Sequence, residues 1–384
     1  MLAVGIMSGT SLDGVDAALV DITPAHESYK IELLDFASSP YGKSLRDALQ
    51  ETLPPNRGSV AQVANLHHAL AIAYAETARE CAKSRRPDFI ALHGQTVWHD
   101  GPAHVTLQIG DPFVLREALA ATVCYDFRSA DCAAGGHGAP LVAYVDALLL
   151  RSAQEDLAAL NVGGIANVTL LRKNSAPADA IAFDSGPGNM LIDAIVEERT
   201  EGRTTFDRDG ALAATGRANK DVVEAMLADE YFGTMPPKTT GRERFGRQFL
   251  ARHATALDAM SLEDAAATLT ELTAVSIARA IQAAQFQPAR VIVGGGGAGN
   301  PWLMARLSHH LAPAAVEASD AHGIPARAKE AIAFAVLGYE TLRGRAANVP
   351  VATGARHRAV LGAIAPHELT SLLARVTREC GTAR

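Results

Sequence analysis

Short apolar runs alternate with longer amphipathic stretches along the whole chain. Runs rich in Val, Ile and Leu predict strands at 2–7, 15–22, 30–36, 88–92, 104–109, 121–127, 157–162, 167–172, 180–183 and 289–293. Ala-rich amphipathic stretches predict helices at 43–52, 59–83, 112–120, 140–153, 188–199, 219–228, 263–284, 301–311 and 327–343. In 59–83, Val60, Val63, Leu66 and Leu70 recur every three or four residues, with Ile72 two further on, as in a helix that covers a sheet. Segment 263–284 is rich in Ala, Thr and Leu, small enough for close packing, and reads as a core helix. This alternation points to an α/β fold with mixed sheets.

Three strands run into glycine-rich turns. The stretch GIMSGTSLDGVDAALVDI at 5–22 is a hairpin around Gly9, Thr10, Ser11, Leu12, Asp13 and Gly14. AALNVGGIANVTLL at 158–171 repeats the plan of apolar run, glycine turn and apolar run. RVIVGGGGAGNP at 290–301 ends a strand and opens a helix. Two β-turn-β units about 150 residues apart suggest two related domains. The expected division is an N-terminal lobe over 1–140 and a C-terminal lobe over 141–364. The segment TGARHRAVLGAI at 353–364 is a last strand or helix, and a tail at about 365–384 crosses back to the first lobe.

A chain of 384 residues suits two or three domains of roughly 100–200 residues each. At 48% hydrophobic and 20% charged it can bury an ordinary core. The net charge of −7 argues against nucleic acid or an anionic membrane as main partner. Cys81, Cys124, Cys132 and Cys380 form no CxxC pair, which reads as reduced thiols in a cytoplasmic protein. The opening MLAVGIMSGT has no basic leader, so no signal peptide is expected. No window approaches the ~18 apolar residues of a membrane span.

Glycine admits positive φ and close approach of a ligand to the backbone. Successive free N–H groups in such turns form a nest for anions. In the first turn Thr10 and Ser11 add hydroxyls, and Asp13 and Asp16 add carboxylates able to orient water or a hydrated Mg²⁺. The turn lacks the lysine of a Walker A loop. Gly294, Gly296 and Gly299 satisfy G-x-G-x-x-G, with Glu317 and Asp320 about 20 residues on, the outline of a dinucleotide site. That outline supports a second reading, a nicotinamide oxidoreductase built on Gly294–Gly299. A nucleotide on glycine ridges explains all three turns, whereas a dinucleotide explains one. A third reading is a non-enzymatic ATP-gated module, which would not need the HGQTVWH stretch.

In IAFDSGPGNMLIDAI at 181–195, Asp184 ends a short strand before a glycine turn and a helix. That position suits a general base, and equally a turn-forming or N-capping aspartate. Asp193 reads as structural. His93, His99 and His104 match no zinc spacing, so no metal site is expected. Gln95, Thr96 and Trp98 suit hydrogen bonding and stacking on a sugar. Arg128, between Asp126 and Asp131, either grips a substrate carboxylate or forms a loop salt bridge. Lys238, Arg242 and Glu243 belong to a charged loop, PPKTTGRERFG.

GIMSGTSLDGVD, HGQTVWH, TLQIGDP, DFR with Asp131, GGHGAPL, NVGGIANVTLL, FDSGPGNML, PKTTGRE, GGGGAGNP and VATGA follow one another between about residues 3 and 365. In that order they closely resemble the 1,6-anhydro-N-acetylmuramic acid kinase family. That family belongs to the superfamily of sugar kinases, actin and heat-shock chaperone ATPases. The resemblance implies a two-domain actin-like ATPase fold, ribonuclease H-like in each domain, with a nucleotide cleft between the lobes. It implies an enzyme that uses ATP and Mg²⁺ to open and phosphorylate an anhydro amino sugar in peptidoglycan recycling. It further implies a cytoplasmic homodimer with no nucleic-acid or membrane partner. Carried onto this chain, Gly9, Thr10, Ser11, Leu12, Asp13, Gly14, Val15 and Asp16 would wrap the phosphates. Gly163, Gly164 and Asn167 would form the second phosphate turn, and Gly294, Gly295, Gly296 and Gly297 would lie along the nucleotide. Asp184 would be the base, and Gln95, Arg128 and Glu330 would meet the sugar. Ser129 and Ala130 stand where the family often has two arginines, and His137 where it often has glutamine.

Overall fold

The computed structural model describes every residue except 10, 11, 13, 26, 27, 54–57 and 382–384. Thr10, Ser11 and Asp13 therefore lie outside the described residues. The chain forms two compact units. The first comprises Met1–Leu149, Ala176–Asp179 and Ala328–Arg384, and the second Leu150–Ser175 and Ala180–Arg327.

The first unit opens with β1 (Leu2–Met7), β2 (Gly14–Ala25) and β3 (Ser28–Pro40), an antiparallel meander. Next come β4 (Phe89–Leu92), a hairpin of β5 (Gln95–Asp100) and β6 (Val105–Ile109), and β7 (Thr122–Tyr125). β4 joins β1 in parallel and β7 joins β4 in parallel. The second unit repeats the plan. β8 (Leu157–Val162), β9 (Ile165–Leu171) and β10 (Ile181–Pro187) form an antiparallel meander. β11 (Arg290–Gly294) and β12 (Ala315–Ala318) extend it in parallel beyond β8. β13 (Ala363–Ala365) returns to the first sheet, antiparallel to β7.

The orders are therefore β13-β7-β4-β1-β2-β3 and β10-β9-β8-β11-β12. Three antiparallel strands followed outward from the first by two parallel ones, found twice, are the ribonuclease H-like plan of an actin-like ATPase. The central strands β1, β4, β8 and β11 are almost continuously buried, as strands covered on both faces must be.

In the first unit, helix Val60–Ala82 buries Leu66, Leu70 and Tyr74 on one face of the sheet. Helix Lys329–Leu342 lies so close to β1 that a Cβ on Gly5 would sit 1.9 Å from the Ala331 carbonyl oxygen. In the second unit, helix Leu262–Ala283 supplies Ala274, Ile277 and Ile281 to the core beneath β8–β11.

The expected division at 140 and 364 differs from the observed one. The return to the first unit begins at Ala328, because the helix that follows is that sheet's cover. The C-terminal helix Leu369–Gly381, β5, and the weakly apolar β12 were not anticipated as such. Among the described residues no helix is long and apolar enough to cross a membrane.

Candidate active site

Asp184 lies in the middle of β10, opposite Asn167 and beside a bulge between it and Gly186. The strand, expected to stop at 183, runs on through Pro187 because residues 186 and 187 still pair with β9. Its surroundings come from a distant loop. The Asp184 N–H donates to the Lys238 carbonyl at 3.1 Å, and the Thr240 N–H donates to Asp184 Oδ2 at 2.9 Å. The Tyr231 hydroxyl donates to the Asp184 carbonyl at 2.8 Å. A carboxylate fixed by a main-chain donor cannot rotate freely, which suits a group that must meet one proton in one place.

The glycine turns of the second unit meet beside it. The Gly188 and Asn189 N–H groups donate to the Gly164 and Gly163 carbonyls, each at 2.8 Å. A Cβ on Gly188 would fall 2.3 Å from the Gly163 carbonyl oxygen. Gly295 has φ +79°, and a Cβ there would lie 2.7 Å from both Asn161 Oδ1 and the Val162 carbonyl oxygen. A Cβ on Gly296 would reach to 3.8 Å from Asn189 Nδ2. Turns 163–164, 186–189 and 294–297 thus share one end of the sheet, the carboxyl ends of β8 and β11, where open α/β sheets bind ligands. Asn161 Oδ1, buried among these turns, has no hydrogen-bond partner among the described residues.

In the first unit the expected residues play more varied parts. Leu12 has φ +57° and, like Val15, is fully buried, so these two side chains anchor the first turn and do not face a ligand. Gln95 is fully buried as well. Its Nε2 donates to the Gly9 carbonyl at 3.1 Å and its Oε1 accepts from Tyr41 at 3.5 Å, so it braces the turn.

Arg128 donates from Nε and Nη2 to His93 Nε2, at 3.1 and 2.9 Å, and from Nη1 to the Gly138 carbonyl at 2.7 Å. The Nε/Nη2 edge, one of two that can grip a carboxylate, is thereby occupied. Both donors converge on Nε2, so the His93 proton resides on Nδ1. Burial first, and then the Arg128 charge, push the His93 pKa well below its usual value.

Glu330 is half-buried in the first turn of its helix. Burial raises its carboxyl above the usual range, while Lys329 and Arg128 pull the other way. Lys329 itself forms a buried ion pair with Asp146 at 2.9 Å. Asp131 is not a ligand site. Its fully buried carboxylate accepts from the Gly138 amide, Asn348 Nδ2 and Thr353 Oγ1, each at 2.8 Å.

Asp111 caps helix Pro112–Leu119, accepting from the Phe113 amide at 2.9 Å. Among the described residues no cluster of three or more His, Cys, Asp or Glu is placed to hold a metal ion. Glu317, the acid expected for a dinucleotide ribose, pairs instead with Arg290 and with His322, and Asp320 accepts from the Ala326 amide at 3.2 Å. Lys238, Tyr231 and the Thr240 amide escaped sequence reasoning as neighbours of Asp184. For Lys238 and Thr240 the one signal was the PKTTGRE stretch; Tyr231 had none.

The sequence model of one family, described as anhydro-N-acetylmuramic acid kinase, matches residues 1–367. The anhydro-N-acetylmuramic acid kinase of Caldanaerobacter subterraneus subsp. tengcongensis is 40% identical, over 94% of this chain and 96% of its own. Those of Streptomyces avermitilis and Gloeobacter violaceus are each 42% identical, over 95% of this chain and 94% and 98% of theirs. Among solved structures, a ROK family glucokinase from Streptomyces griseus, in complex with glucose and AMPPNP, is 12% identical. It aligns over 88% of this chain and 99% of its own with a TM-score of 0.40.

Proposed function

Because the chain belongs to the anhydro-N-acetylmuramic acid kinase family, it is an ATP-dependent phosphotransferase acting on that anhydro sugar, and we propose that Asp184 is the base that starts the reaction. Hydrolysis of the anhydro bond and phosphorylation are coupled in this activity, and the nicotinamide reading finds no support. The observation that carries the assignment is the Asp184 carboxylate at the bulge of β10, fixed by the Thr240 amide and adjoining the glycine turns.

Asp184 takes a proton from water as the water oxygen bonds to the anomeric carbon. The bond from that carbon to the 6-oxygen breaks, and the oxygen leaves with its electron pair. It then attacks the γ-phosphorus of ATP, the bond to the β-phosphate oxygen breaks, and ADP departs. The products are N-acetylmuramic acid 6-phosphate, ADP and one proton released from Asp184. The leaving group of one step is the nucleophile of the next, so no second base is required.

Phosphoryl transfer depends mostly on positioning and neutralisation of charge. In the second unit, the turns at Gly163–Asn167 and Gly294–Gly297 offer main-chain N–H groups to phosphate oxygens. In the first unit, the Gly9–Asp16 turn has the same role. Glu330 and Arg128 meet the sugar, and Gln95 acts by holding the Gly9 carbonyl. Mg²⁺ keeps much of its water and is commonly held by phosphates with few protein ligands. It would supply countercharge to the phosphates. We also propose, from the family resemblance, a cytoplasmic homodimer that works in peptidoglycan recycling.

Incubation with 1,6-anhydro-N-acetylmuramic acid and ATP·Mg²⁺, followed by mass spectrometry, tests the reading. The product should gain one water and one phosphoryl group. A phosphorylated sugar with the anhydro ring intact would refute the coupled mechanism.

A further inference from the structure

The Lys238 side chain has no part in the reading above, yet it is nearly fully buried, at 6% exposed. Burying an ammonium is costly unless hydrogen bonds and opposite charge offset it. Its Nζ donates to the Tyr231 carbonyl at 3.2 Å and sits 4.6 Å from the Tyr231 ring centroid. The Lys238 carbonyl accepts from the Asp184 amide, and two residues on, Thr240 returns its own amide to Asp184 Oδ2. Tyr231 closes the circuit by donating from its hydroxyl to the Asp184 carbonyl. One short loop therefore grips both the main chain and the carboxylate of a residue over 50 positions away.

We infer that the Lys238–Thr240 loop is the positioning element of Asp184: the Lys238 carbonyl holds its main chain, the Thr240 amide aims its Oδ2, and the same loop brings the buried Lys238 ammonium to the site. This rests on Asp184 being the base. Burial pushes the Lys238 pKa below its usual value and the Asp184 carboxylate pulls the other way, so the two groups act on each other. Tyr231 is itself acted on by Asp184, Arg244 and Glu243, and Arg242 follows two residues after Thr240. Arg244 lies 5.5 Å from the Tyr231 ring and is ion-paired to Asp229, so its charge is already matched. A cation near a carboxylate lowers its pKa, by about one to three pH units for close approach.

The test is kcat against pH for Lys238→Met and Lys238→Arg beside the wild type. In Lys238→Met the acid limb should move upward by about one pH unit, with roughly tenfold loss of turnover below it and recovery above. Lys238→Arg should keep the limb in place. If the Met variant does not fold, Lys238→Gln, which can still donate to the Tyr231 carbonyl, gives the same reading. An equal loss at every pH, or an Arg limb displaced as far as the Met limb, overturns the inference. Asp184→Asn run in parallel separates the two claims. If it is inactive while the Lys238→Met limb stays put, only the role of the loop fails. If it turns over normally, the base assignment fails first.

Discussion

Gly188 stands against Gly163 so closely that a single added Cβ would lie 2.3 Å from the Gly163 carbonyl oxygen. The turn after the proposed base and the second phosphate turn are thus one backbone assembly, joined by main-chain hydrogen bonds at residues 188 and 189. Gly188→Ala must push the two turns apart. We expect a loss of stability of roughly 1–3 kcal/mol and weaker ATP binding, read by thermal unfolding with and without ATP·Mg²⁺. Unchanged ATP protection would show that these turns do not share the nucleotide.

Asp184→Asn preserves shape and can still accept from the Thr240 amide. Turnover should fall by about 10²–10⁴-fold, the usual contribution of a positioned base, while ATP affinity by calorimetry stays nearly constant. Retention of more than about a tenth of wild-type turnover would reject the assignment.

His93 gives a pH signature of the fold. Its pKa is depressed well below 6.5, so below that pH the unfolded chain binds a proton that the folded chain refuses. The stability it contributes is complete above about 6.5 and is lost as pH falls from there toward the folded value. One such group contributes a slope approaching about 1.4 kcal/mol per pH unit. His93→Gln can still accept from Arg128, and its denaturation midpoints between pH 7.5 and 5 should vary less steeply than those of the wild type. Parallel curves would rule out His93 as a source of the slope.

Glu330→Gln should raise KM for the anhydro sugar about tenfold, the effect of one lost charge-assisted hydrogen bond, with KM for ATP unchanged. A change in the ATP constant alone would move Glu330 from the sugar to the nucleotide.

Much of this site could be read along the chain. Asp184 announced itself because an apolar strand, a carboxylate and Gly-Pro-Gly fall within a few residues, and the glycine turns did so for the same local reason. Contacts that close over long separations could not be read. Tyr231 reaches Asp184 across 47 positions and Arg128 reaches His93 across 35, and nothing near either residue signals its partner. The return of Ala328–Arg384 to the first unit depends on Gly5 leaving room for Ala331, again a distant pair. Gln95 shows the reverse problem. Its residue type suits a sugar, but tertiary packing buries it completely and assigns its amide to Gly9.

The most direct measurement is a single turnover in ¹⁸O water, quenched before the anomeric hydroxyl can exchange, with the product examined by mass spectrometry. Label at the anomeric carbon and none in the phosphate is expected, with both label and product missing in Asp184→Asn. Label in the phosphate, or labelled product formed at the wild-type rate by the Asn variant, would contradict water activation by Asp184 coupled to transfer from the 6-oxygen.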